Sequence, residues 1–125
     1  MELKSTFSKH NKAARVVSTL FNARTNAHFA HLATGSYAQH KALDDFYNEI
    51  VDLGDRFAES YQGQYGIITG YNIGVLNTDP LNLLESGLKE LMTVKSQFTD
   101  SHLVQILDDV TELYTSTIYK LKFLK

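Results

Sequence analysis

The chain has no cysteine, no tryptophan and a single proline, and each scarcity excludes a class of structure or function. Without cysteine there are no disulfide bonds, no thiolate metal ligands and no cysteine nucleophile, so a bound metal must use nitrogen and oxygen donors. With Pro80 as the only proline, little interrupts a helix outside the glycine-rich segments. The composition therefore favours long helices over a small disulfide-linked fold.

Long apolar runs and a strong charge of one sign are also absent. No run approaches the ~18 apolar residues of a membrane span, and the N-terminus lacks a signal-peptide core, so we expect a cytoplasmic protein without a membrane partner. The formal net charge of -2 gives no global attraction to nucleic acid. Lys4, Lys9, Lys12 and Arg15 make the N-terminus locally basic, but four charges predict weak, salt-sensitive contact at most, so DNA is not the expected partner.

The chain is long enough for one domain, residues 1–125, and its turn-forming residues divide it into four amphipathic segments. Apolar residues recur every three or four positions in each segment, the spacing of a helix with one buried face. We predict helix A over about 5–34, helix B over 36–62, helix C from Asp79-Pro80 to about 98, and helix D from Asp100 or Ser101.

The connections between these helices differ in length. Gly35 is predicted to supply a left-handed residue that ends helix A, and Ser36 to cap helix B, so the first turn is short. The glycine-rich but apolar segment 63–79 is predicted to pack as a crossover along the bundle. A short turn, a long crossover and a second short turn describe the ferritin-like arrangement among four-helix bundles, although other all-α arrangements fit the same apolar stripes.

Helix B carries two pairs of ligand-type side chains, His40 with Asp44 and Asp55 with Glu59. Residues four apart lie on the same helix face, and at 100 degrees per residue Asp55 returns to within about 20 degrees of Asp44. The two aspartates are nevertheless roughly 16 Å apart along the axis, too far to share one ion at ~2 Å. One chain therefore cannot close a metal site by itself.

Two chains can close the site if helix B packs antiparallel against its symmetry mate. A twofold axis near Glu49 and Ile50 then places the first ligand pair of one chain beside the second pair of the other, which gives two equivalent sites. His28 lies seven residues before Gly35 and His40 five residues after it, so a helical hairpin brings these histidines to about the same height.

The predicted donors are imidazole nitrogens and carboxylate oxygens, which suit iron and also manganese or zinc. Ligand type alone does not choose among these metals. Carboxylates stabilise the harder Fe(III) ion over Fe(II), which favours loss of an electron to an oxidant at the open coordination positions.

The segment from His28 to Glu59 reads HFAHLATGSYAQHKALDDFYNEIVDLGDRFAE. It resembles the ferroxidase segment of the Dps-type mini-ferritins, in which a histidine is followed after eleven residues by a second histidine, after three by an aspartate, after ten by another aspartate and after three by a glutamate. Helix D is similar in pattern to the last helix of that family, though more weakly. All five ligand positions are filled here, by His28, His40, Asp44, Asp55 and Glu59.

This resemblance implies a ferritin-like four-helix bundle with an iron site shared between two subunits. It implies oxidation of Fe(II), preferably by hydrogen peroxide and otherwise by dioxygen, often with iron storage inside a twelve-subunit cage and protection against oxidative stress. The alternative is a metal-free or relic ferritin-like protein that serves as a structural or interaction module.

Several neighbouring residues have more than one interpretation. His31 is a possible substitute ligand but is expected to face the core between helices A and B, and His10 and His102 are expected at the surface. Tyr37 and Tyr47 flank the predicted site and are interpreted first as core aromatics. Two acidic groups are candidate iron-guiding surfaces or ordinary solvated faces; they comprise Asp45, Glu49 and Asp52 on helix B and Asp108, Asp109 and Glu112 on helix D.

Overall fold

The computed structural model describes the backbone of residues 2–125 and the side chains of residues 11–125. These residues form four α-helices and no strand: α1 Glu2–Ala33, α2 Tyr37–Tyr65, α3 Pro80–Lys95 and α4 Ser101–Phe123. The all-α, four-helix prediction is confirmed. The side chains of Lys4, Lys9 and His10 lie outside the described residues. Within the described chain, none of the helices combines the length and apolar character needed to cross a membrane.

The helix boundaries follow local capping chemistry. The Ser36 hydroxyl accepts a hydrogen bond from the Gln39 backbone N–H at 3.2 Å, and the Asp79 carboxylate caps α3 in the same way with Pro80 at the first helical position. Both caps were predicted. The left-handed residue predicted at Gly35 was wrong, because the positive φ angles among the described residues occur at Gly66 and Gly70.

The helices form a ring in which α1 contacts α2 and α3, and α4 contacts the same two helices. In each pair of adjacent helices, the residue numbers rise along one helix as they fall along the other, so the two helices of every adjacent pair are antiparallel. Two contacts fix the direction of each pair. They are His31–His40 and Phe21–Gly54 for α1–α2, and Arg56–Asp109 and Gln64–Asp100 for α2–α4. They are Lys95–Asp108 and Glu85–Lys122 for α3–α4, and Arg15–Glu90 with Asn26–Asn77, just before α3, for α1–α3.

The core lies between the four inward helix faces, and its largest fully buried side chains include Phe46, Phe57, Tyr61 and Tyr114. Phe46 meets Tyr114 edge to face with ring centroids 5.1 Å apart, which joins α2 to α4 across the middle of the bundle. The apolar stripes predicted for helices B, C and D supply most of this core. Hydrophobic burial along these stripes is the main force that holds α2 in place.

The α2–α3 crossover, residues 66–79, runs along α1 from the end of α2 to the start of α3. Its backbone is hydrogen-bonded to polar side chains of α1: Asn72 N–H to Ser18 Oγ at 2.9 Å, Asn72 carbonyl to Asn22 at 3.0 Å, and Asn77 N–H to Asn26 at 2.6 Å. The predicted course along the bundle is therefore correct. The crossover's apolar side chains, however, point mainly to solvent, and Ile68 is the buried exception.

Candidate functional site

Two histidines join α1 to α2 by hydrogen bonds beside the turn between these helices. The Nδ1 of His31 lies 2.8 Å from the carbonyl oxygen of His40, the Nδ1 of His40 lies 2.9 Å from the carbonyl oxygen of His31, and the rings stack with centroids 3.7 Å apart. A carbonyl oxygen only accepts, so both Nδ1 atoms must donate. The lone pair of each neutral ring is then on Nε2, the nitrogen available to a metal ion.

His28, Tyr47 and Asp44 form the adjoining layer, one turn farther from the hairpin turn. The His28 ring stacks on the Tyr47 ring with centroids 4.1 Å apart and an interplanar angle of 12°. The Tyr47 hydroxyl donates to the Asp44 carboxylate, and this hydrogen bond lowers the pKa of Asp44 and raises the pKa of Tyr47. Asp44 is therefore ionised over a wider acidic range than a free aspartate, and its carboxylate also accepts a hydrogen bond from Asn48 at 3.4 Å.

We call His28, His40 and Asp44 the histidine half-site, and Asp55 with Glu59 the carboxylate half-site. The carboxylate half-site lies three turns farther along α2 on the outer face of the helix, where both side chains are exposed. Among the described residues neither side chain takes part in an ion pair.

The structure places His28 and His40 next to the His31 ring at the turn end of α1 and α2, and it places Asp44 beside Tyr47. It leaves Asp55 and Glu59 apart from them, as helix geometry required for one chain. Within residues 11–125 of this single chain, no group of three or more His, Asp or Glu side chains is arranged to hold a metal ion. The predicted five-ligand set is therefore still a prediction about two chains, which one chain does not test.

Two sequence-based interpretations near this site were wrong, and one feature was missed. His31, and not His28, is level with His40, and His28 is level with Tyr47 instead. The interpretation of Tyr37 as a core aromatic was wrong, because 77% of its surface is exposed. The reciprocal histidine bonds were missed, although His31 and His40 lie four and five residues from Gly35 and that near-symmetry was a usable signal.

A shallow acidic groove separates the outer surfaces of α2 and α4. Glu49, Asp52, Asp109 and Glu112 line its volume of about 350 Å³, and Arg56 lies 3.6 Å from Asp109. The groove joins one residue group from each of the two acidic surfaces suggested by the sequence. Solvated carboxylates on neighbouring helices produce the same arrangement without a ligand, so the groove adds a cation-attracting field rather than a defined site.

The fold and the clustered histidines define the class: an all-α protein built as an antiparallel four-helix bundle. The chain belongs to the family described as "Family of unknown function (DUF5856)", whose model matches residues 31–121. The matched segment contains four of the predicted ligands and begins after His28. The chain is also 30% identical over 116 residues, 90% of each chain, to the "Uncharacterized 14.6 kDa protein in mobD-ri intergenic region" of Enterobacteria phage T4. No solved structure matches it.

Proposed function

We propose that this protein is a ferritin-like ferroxidase of the Dps type, in which two copies bind Fe(II) as substrate between their α2 helices. Each site combines the histidine half-site of one chain with the carboxylate half-site of the other. The products are Fe(III) and water when peroxide is the oxidant: two Fe(II) ions each lose one electron, and one hydrogen peroxide takes both electrons and two protons. Removing Fe(II) and peroxide together prevents formation of hydroxyl radicals.

The observation that carries this proposal is the state of His40. Histidines that bind metals almost always donate their other ring N–H to a carbonyl or carboxylate, which fixes the tautomer and the ring orientation. His40 has this arrangement through the carbonyl of His31. Its Nε2 is therefore a prepared nitrogen donor, one helical turn before Asp44 on α2, and the hydrogen bond from Tyr47 lowers the pKa of the Asp44 carboxylate.

The donor set fits iron in both oxidation states. Two imidazoles hold Fe(II) well, while the three carboxylates of a completed site favour the more highly charged Fe(III). The chain's own residues bind and orient the ion, and the open coordination positions are left to the oxidant. Manganese or zinc would bind the same donors, so they serve as competitors in a test.

The ferritin-like assignment is supported by the order of the connections. The bundle has a short α1–α2 turn, a long α2–α3 crossover and a short α3–α4 turn, and the crossover makes α2 and α3 diagonal partners. A twelve-subunit cage with a mineral store remains part of the proposal. The light-scattering mass of iron-loaded and metal-stripped protein distinguishes a dimer from such a cage.

The deciding experiment is anaerobic Fe(II) titration followed by addition of hydrogen peroxide, with oxidation followed by stopped-flow absorbance. We expect the Asp55→Asn/Glu59→Gln double variant to lose about a hundredfold or more in oxidation rate, because the carboxylate half-site is removed. Glu85→Gln/Glu90→Gln is the matched control: it removes two charges from surface ion pairs of α3, away from the α2 surface, and retains the rate. Equal rates in wild type and the Asp55/Glu59 double variant would reject the site.

A metal-free interaction protein is the second candidate, and the exposed apolar side chains of the crossover favour it. In that case chelators change neither the fold nor the assembly, and Fe(II) oxidation by the protein does not exceed that of buffer. Retained iron-dependent activity in the control variant excludes this candidate.

A further inference from the structure

A groove with a volume of about 700 Å³ separates the outer surfaces of α3 and α4. Its lining is mainly apolar: Leu88 and Ile118 are half-buried there, and Met92 is 49% exposed. We call this cavity the α3–α4 groove. Both half-sites lie on α1 and α2, so the proposed ferroxidase leaves the groove without a role.

Two ion pairs join α3 to α4 along this groove. Glu85 lies 3.3 Å from Lys122 at one end, and Lys95 pairs with Asp108 beyond the other end. The lining residues of α3 run from 85 to 93, which corresponds to a rise of about 12 Å, or about two helical turns. The groove is therefore elongated and has a defined length.

The hydroxyl groups that line the groove are already used as donors. Thr93 Oγ1 donates to the carbonyl of Lys89 at 3.0 Å, and Thr115 Oγ1 donates to the carbonyl of Glu112 at 3.1 Å. A ligand in the groove therefore meets apolar side chains and lysine ammonium groups. This combination suits a molecule with an aliphatic chain and one anionic group.

Lys89 is the charged residue of α3 that the bundle does not neutralise. The helix carries four charged side chains, and three of them form ion pairs with a neighbouring helix: Glu85 with Lys122, Glu90 with Arg15 and Lys95 with Asp108. Within residues 11–125 Lys89 takes part in no ion pair, and it lines the groove. Because Glu85 and Lys122 balance each other, the charge of Lys89 makes the groove complementary to an anion.

We propose that the α3–α4 groove binds a free medium-chain aliphatic carboxylate. The chain lies against Leu88, Met92 and Ile118, and the carboxylate lies beside the ammonium group of Lys89. Small-molecule sites are mostly apolar clefts of about 300–1,000 Å³ in which a few polar groups fix the orientation of the ligand. The groove agrees with this description in volume, lining and charge. The inference is independent of the proposed function, because neither half-site contributes a residue to the groove.

The observations favour a small ligand over a macromolecule. A standard protein interface buries about 800 Å² on each partner, whereas Met92 is the one lining residue that is a large, exposed apolar side chain. Anionic membrane surfaces attract clusters of about four or more lysines and arginines. The groove has one lysine without an ion-pair partner among the described residues.

Met92 gives a direct readout of binding. The chain contains two methionines, Met1 and Met92, so labelling the methionine methyl groups with ¹³C gives a simple NMR spectrum, in which Met92→Leu assigns the signal from the groove. We titrate the full-length, metal-stripped protein with decanoate below its critical micelle concentration. We expect a saturable shift of the Met92 signal, and an affinity that rises about fourfold for each methylene added from hexanoate to decanoate.

Lys89→Gln tests the role of charge. We expect its dissociation constant for decanoate to rise about two- to fivefold, because an exposed ion pair with the ligand is lost. Lys41→Gln is the matched control: it removes an exposed lysine of α2, and its affinity should equal that of the wild type. Decyltrimethylammonium has the same chain with a cationic head, so it should bind the wild type more weakly than decanoate does, and Lys89→Gln should reduce this preference.

The inference is overturned if decanoate gives no saturable shift of the Met92 signal, or if the wild type and Lys89→Gln bind decanoate equally well. A Met92 signal that changes with protein concentration, and that decanoate does not reverse, would instead assign the groove to a second copy of the chain. A shift caused by phosphatidylglycerol vesicles but not by decanoate would assign it to a membrane surface. Both of these results also reject the carboxylate site.

Discussion

The two half-sites stand on one helix but differ in what the single chain does for them. The histidine half-site is partly buried, stacked and hydrogen-bonded, so its geometry is set before any ion or second chain arrives. The carboxylate half-site is exposed to solvent, and within residues 11–125 it takes part in no ion pair. The comparison shows that stacking and hydrogen bonds fix the side chains of the histidine end, whereas the side chains of the carboxylate end are exposed to solvent.

The largest expected difference between the two ends of α2 is in the free energy of unfolding. We expect His31→Ala to destabilise the protein by about 2–3 kcal/mol, because it removes a buried ring and its hydrogen bond to the carbonyl of His40. Glu59→Ala, at the carboxylate end, should stay within about 0.5 kcal/mol of wild type. Urea denaturation of both variants measures the contrast. Equal losses of unfolding free energy would show that the two ends are not structurally different.

The second test concerns the inner face of the carboxylate end. Tyr61 lies two residues after Glu59 but is fully buried, and burial raises its pKa from 10.0 to about 12. Because the folded state holds the phenol proton more tightly than the unfolded state, this contribution to stability is intact below pH 10 and declines as the pH rises towards 12.

Absorbance at alkaline pH, in the range where tyrosinate absorbs, checks this expectation. The wild type should have three late-titrating phenols: Tyr61 and Tyr114, whose pKa is raised by burial, and Tyr47, whose pKa is raised by its hydrogen bond to Asp44. Tyr61→Phe should remove one of them and reduce the loss of stability above pH 10. A wild type in which all seven tyrosines titrate together contradicts the burial argument.

The smallest effect isolates one hydrogen bond in the histidine half-site. Tyr47→Phe keeps an aromatic ring to stack on His28 but removes the hydroxyl that donates to Asp44, so the pKa of Asp44 should rise towards its ordinary value of 3.8. Asp44 stabilises the folded state above its unfolded pKa, and this contribution is lost as the pH falls through the lower, folded pKa. The variant should therefore show a weaker acid dependence of stability.

Carboxyl NMR titration of Asp44 in metal-stripped protein measures that shift directly. Tyr37→Phe is the matched control, since Tyr37 is exposed at the start of α2. An unchanged Asp44 pKa in Tyr47→Phe would mean that the Tyr47 hydroxyl does not hold this carboxylate.

Much of the fold was predictable because its signals are local. The apolar periodicity of α2, α3 and α4 and the caps at Ser36 and Asp79 depend on residues within a few positions of each other. Helix α3 ends at Lys95, sooner than the apolar stripe to Phe98 suggested, because the last residues turn towards α4 while Phe98 stays buried. The apolar stripe indicates which residues are buried, and burial continues beyond the end of α3.

The candidate site was predictable only as a set of spacings. Residues four apart on α2 must share a face, so the two ligand pairs and their separation followed from helix geometry. The pairing of His31 with His40 depended on the exact register of the hairpin, which a one-residue difference in the turn changes. For that reason the sequence placed His28, instead of His31, level with His40.

By itself the sequence determined that the chain is helical, that Ser36 and Asp79 cap two of its helices, and that the two pairs of ligand-type side chains on α2 are too far apart to share one ion. Only the tertiary structure decided which histidines touch, which carboxylate is held by a tyrosine and that the crossover turns its apolar side chains outward. The apolar periodicity indicates whether a side chain lies on the buried or the exposed face of its helix. It does not report the register between two elements, because that register is set by packing over the whole length of both.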